Sequence, residues 1–96
     1  MSMYVVRHEH SAEVCPAGHP QMGPMLVQHV SHQNAEQYGV GIQAEAVVDG
    51  SHTFYLIVDA DDPASIDRFM EPFTQVGTVE VLPASRCEAV VARARC

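Results

Sequence analysis

Ninety-six residues carrying a formal charge of −7, from twelve acids against five basic residues, all of them arginine, describe one small acidic domain with no room for a second core. Such a surface lacks the positive field that phosphate groups need, which argues against nucleic acid and anionic membranes as partners. No apolar run approaches the roughly 20 residues of a membrane span, and Met1 to His8 has no basic region leading into a long apolar one, so a cytoplasmic protein with three thiols and no disulfide framework is expected.

In chain order, residues 3–8 are β-prone and predict a first strand, in which a period of two puts Tyr4, Val6, His8 and, if the strand continues, His10 on one face. Residues 11–21, with Ser, Pro and Gly, predict a loop. Pro24 suits the first turn of a helix that begins near Met22. Ser31 is placed to cap a second short helix closed by Tyr38-Gly39. Were the helix continuous, Met22, Met25, His29, His32 and Glu36 would share one stripe beside Leu26, Val27 and Val30.

Residues 40–48 and 52–60 flank Asp49-Gly50-Ser51 and predict a hairpin. Its second strand is apolar on both sides, with Phe54, Leu56 and Val58 on one face and Tyr55 and Ile57 on the other, so both faces need cover. Asp61-Asp62-Pro63 opens a helix that buries Ile66, Phe69, Met70 and Phe73, with Pro72 limiting its length. Residues 77–82 alternate as a strand ending at Pro83. The tail, 85–96, fits either a capping box at Ser85–Glu88 or an alternating edge strand, and is expected as an extra strand or extended arm against a partner.

The expected class is therefore α+β: one domain over 1–96, with a βαββαβ core over about 3–84 and the C-terminal arm over 85–96. That order is the ferredoxin-like arrangement, a four-stranded antiparallel sheet with the helices on one face. On this element order and strand character, over residues 3–84, the chain resembles the dimeric α/β-barrel superfamily of small ferredoxin-like proteins. Its members include nickel-binding and haem-handling proteins and monooxygenase-like and isomerase-like enzymes. With the helices on one face, the other apolar side of the hairpin strand is uncovered, and the simplest remedy is a homodimer whose sheets pack face to face; the resemblance leaves the chemistry open.

The chemistry-bearing stretch is His8 to His19, with the spacing H-x-H-x4-C-x3-H. Imidazole and thiolate are ligands for Zn, Ni or Cu. The expected topology lays the end of the first strand beside the start of the third, which brings His52 to His8 and His10, while the loop bearing Cys15 and His19 leaves from the same end. The expected metal ligands are therefore His8, His10, His52, Cys15 and His19, the strand-borne ones first. Glu9 or Glu13 is available to orient a histidine, and Met22 and Met25 would suit copper but read better as filler. Cys87 and Cys96 lie at the opposite pole, and His29 and His32 on the helix surface.

The competing expectation is a small-molecule enzyme of the cofactor-free monooxygenase or isomerase type. It would use a pocket between sheet and helices lined by Tyr4, Tyr55, His52 and His8, or Cys15 as a nucleophile. No G-x-S-x-G, Gly-rich phosphate loop or H-E-x-x-H is present to name a reaction.

Overall fold

A computed structural model describes all 96 residues. Four strands and five helices follow one another as β1 (Ser2–Glu9), α1 (Met22–His29), α2 (His32–Gln37), β2 (Val40–Val47), β3 (Thr53–Ala60), α3 (Pro63–Phe69), α4 (Glu71–Thr74), β4 (Thr78–Ala84) and α5 (Cys87–Arg93). The strands form one antiparallel sheet in the order β2-β3-β1-β4, with the hairpin strand β3 beside β1 as the topology demanded. No helix is long and apolar enough to cross a membrane.

Local chemistry accounts for most boundaries. Ser31 caps α2 by accepting from the Asn34 N–H at 3.2 Å, and Asp62 caps α3 by accepting from the Ser65 N–H at 3.1 Å with Pro63 next to it. Gly39 and Gly50 take positive φ, closing α2 and the β2–β3 turn. The break at Val30–Ser31 separates α1 from α2, so the stripe from Met22 to Glu36 is not one helical face.

One face of the sheet buries Tyr4, Val6, Leu56 and Val58 against Ile66, Phe69, Met70 and Phe73 of α3 and α4. A bulge at Gln43, between Ile42 and Ala44, adds one residue to β2. Beyond it Glu45 pairs with Leu56 and Val47 with Phe54, on the helix-covered side. The opposite face carries a row of apolar side chains in register across all four strands: Ala44, Ile57, Val5 and Leu82. Beside it Arg7 reaches Glu9 at 2.7 Å and Glu80 at 3.0 Å. Ile57 and Leu82 are exposed.

Two expectations need correcting. The tail is a helix, α5, not an extra strand or arm; a helix meets its backbone hydrogen bonds within its own turns, whereas an added edge strand needs a neighbour's. And β4 does not stop at Pro83 but runs to Ala84, because it lies at the edge of the sheet, where a residue without an N–H leaves no gap between strands.

Candidate metal centre

β1 and β3 align Glu9 with Thr53, so His10 and His52 face each other one step beyond the paired strands, joined by a backbone hydrogen bond from His10 N–H to the His52 carbonyl at 3.0 Å. Period two puts His10 on the side of His8, and His52 on the side of Phe54, which is the helix-covered side. After His10 the chain makes a single 3-10 turn, Ala12–Val14, closed by a hydrogen bond from Cys15 N–H to the Ala12 carbonyl. That turn folds Cys15 back over the strand ends. The ligating atoms of His10, Cys15 and His52 then all lie within 4.8 Å of one another.

The three histidines of the sheet form a column, with ring centroids 5.2 Å apart from His8 to His10 and again from His10 to His52. His8 is the deepest, 1 % exposed, wedged between Phe54 and Phe73. Its Nε2–H donates to the Phe73 carbonyl at 2.9 Å, which leaves Nδ1 with a lone pair, buried and without a partner. Both ring nitrogens of His10 are also buried and unpartnered. Buried polar atoms in a folded protein nearly always find a partner, in protein, water or a ligand, so the His10 ring is the group at this end of the sheet whose partner lies outside the chain.

Burial pushes the His8 imidazole below its ordinary pKa near 6.5, and neighbouring His10 lowers it further against the opposing pull of the Phe73 carbonyl. Burial lowers His10 in the same way, reinforced by His52. Both rings are therefore neutral and able to ligate at neutral pH. The same shifts set the pH dependence of the metal-free fold. A lowered pKa means that the unfolded chain takes up the proton first, so stability is fully present above about pH 6.5 and lost as pH falls below it toward the depressed folded values. Urea midpoints measured from pH 8 down to pH 5 should fall in that window; a midpoint constant to pH 5 contradicts the assignment.

Of the five residues expected at the site, the structure brings His10, Cys15 and His52 together. His8 stands behind His10 and outside that group of three. His19 is outside that group too, although it lines a small pocket with Cys15: its Nδ1 accepts from the Gln21 and Met22 N–H groups at 3.1 and 3.0 Å, capping the start of α1. His29 does more than flank the helix surface. It stacks on Phe69, donates Nε2–H to the Phe69 carbonyl at 2.7 Å and is held by Asn34, tying α1 to the core. Cys87 and Cys96 are exposed on and after α5.

Beside His10, Cys15 and His52 opens a cavity of about 540 Å³ between α1 and the sheet. Leu26, Val27 and Val30 of α1, Val47 and Phe54 of the hairpin, and Val76 line it, with His8, His10, Cys15 and His52 at one end. Tyr4 is in the core and Tyr55 on the opposite face of the sheet, so neither lines the cavity as the enzymatic expectation required. Gly77 is a further residue that matters here. A Cβ at that position would lie 2.2 Å from the Glu9 carbonyl oxygen and 2.9 Å from His8 Nε2, so the chain passes flush against the end of β1 only because position 77 has no side chain. The alternation over 77–82 puts Gly77 first in the expected strand, whereas β4 begins at Thr78.

No curated protein matches the sequence. Residues 22–95, which include His52 but begin after His10 and Cys15, match the family model of a domain of unknown function (DUF3303), and the chain belongs to that family.

Proposed function

We propose that this is a small transition-metal-binding protein in which His10, Cys15 and His52 hold a Zn, Ni or Cu ion, with His8 and the cavity behind it. The observation that carries the reading is the meeting of two imidazoles and a thiol within 4.8 Å, with both nitrogens of His10 buried and unpartnered. A tetrahedral ion at ordinary bond lengths needs donors roughly 3.3–3.6 Å apart, so a shift of about 1 Å in the Cys15 loop closes the triangle. Two neutral imidazoles and one thiolate suit all three metals. Three protein ligands leave a fourth position open, the arrangement of a site that exchanges a ligand rather than a purely structural one. Metal analysis of untagged protein tests the reading: about one equivalent per chain is expected, and protein that takes up no Zn, Ni or Cu at neutral pH overturns it.

The element order and strand arrangement support a ferredoxin-like fold, and the apolar row on the open sheet face supports a homodimer with the two sheets face to face. Sedimentation equilibrium should return a dimer mass for the native chain and a monomer mass for Ile57→Lys; a native monomer at micromolar concentration rejects it. Three free thiols fit a reducing, cytoplasmic compartment.

The cavity favours one second reading, a small-molecule enzyme of the monooxygenase or isomerase type. In it, His8 or His52 at the wall would serve as a base. A chain that binds no metal but turns over a small aromatic compound would establish it, and the unpartnered nitrogens of His10 favour the metal.

A further inference from the structure

We infer that the cavity is the binding site for an apolar small molecule bearing a single nitrogen or oxygen donor, which takes the open fourth position on the metal. This rests on the metal-binding reading and adds to it a ligand class. Three features of the wall converge. Its body is aliphatic and aromatic, from Leu26, Val30, Val47, Phe54 and Val76. Its one charged residue is Glu45, and no arginine reaches it, so a phosphate, sulfate or dicarboxylate finds no counter-charge. Its nitrogen and sulfur groups are those of His8, His10, Cys15 and His52, and the last three are the ones whose donor atoms lie within 4.8 Å of one another.

A ligand that satisfies such a wall is apolar along its length and ligating at one tip. The volume of about 540 Å³ is that of a drug-sized ligand site. Val27 stands at the mouth, 71 % exposed while lining the cavity, so access is past α1. The bulge at Gln43 serves the same end, since it sets Glu45 and Val47 on the cavity side of β2.

The experiment loads the chain with Co²⁺ and follows the cobalt ligand-field absorption while titrating 4-phenylimidazole and, separately, imidazole. Both offer the same donor, and only the first carries an apolar body. The phenyl compound should bind about 50-fold more tightly, the factor expected from removing its ring from water. Val27→Trp, a change at an exposed rim position, should abolish that preference and leave Co²⁺ uptake intact. Equal affinities for the two compounds on the cobalt protein overturn the inference and leave the metal site standing. Failure to bind Co²⁺ overturns both.

Discussion

His10→Ala, Cys15→Ser and His52→Ala should each lower metal affinity by at least about 100-fold, because each removes one of the three proposed donors; losing even an outer partner of a ligand typically costs 10–100-fold. Cobalt is the informative probe. Native protein should show a thiolate-to-cobalt charge-transfer absorption that disappears in Cys15→Ser while the ligand-field bands persist weakly. His19→Ala should bind within about threefold of native, because His19 is spent on capping α1 and its loss costs only helix-cap stability, of order 1 kcal/mol. Affinity unchanged in His10→Ala or Cys15→Ser would remove the site from contention, and a large loss in His19→Ala would redraw it around the loop.

Gly77→Ala should be among the most damaging single-methyl changes in the molecule, costing about 2–3 kcal/mol, at the upper end of ordinary overpacking. The added Cβ meets the carbonyl of Glu9 at 2.2 Å, a backbone atom that no side-chain rotation can clear. Relief requires the end of β1 to move away from the chain at 77. That end carries His8 and His10, and the same Cβ presses on the His8 nitrogen that donates to Phe73. The urea midpoint should drop with little change in m-value, and metal affinity should weaken although no ligand is altered. Gly18→Ala is the control: nothing lies within 4 Å of its added carbon, so it should be nearly neutral. A Gly77→Ala protein as stable as Gly18→Ala would show that β1 has room to spare.

Position by position, the sequence determined what depends on near neighbours along the chain. Ser31 and Asp62 cap their helices because a short oxygen side chain at that place satisfies an N–H three residues on. The Asp49–Ser51 turn and the two-sided apolarity of residues 54–58 were legible from turn chemistry and period two, and Ile66, Phe69, Met70 and Phe73 were named as buried from their spacing alone. The pairing of β1 with β3, and with it the approach of His10 to His52, followed from element order.

Tertiary structure decided the rest, since it depends on which atoms meet across long stretches of chain. His8 and His10 share a strand face, yet one is sealed between Phe54 and Phe73 while the other is left with free nitrogens beside a cavity. His19 and Cys15 sit in the same loop, but a single 3-10 turn carries the thiol to the strand ends, and the histidine is consumed by the α1 amides. Residues 85–96 had two local readings of similar merit, and the folded chain takes the helical one, α5, which meets its backbone hydrogen bonds within its own turns and leaves the outer edge of β4 unpaired. Gly77 has no side chain to announce a role; its importance is the contact distance to Glu9 and His8, residues nearly seventy positions earlier, which only the folded chain brings into being.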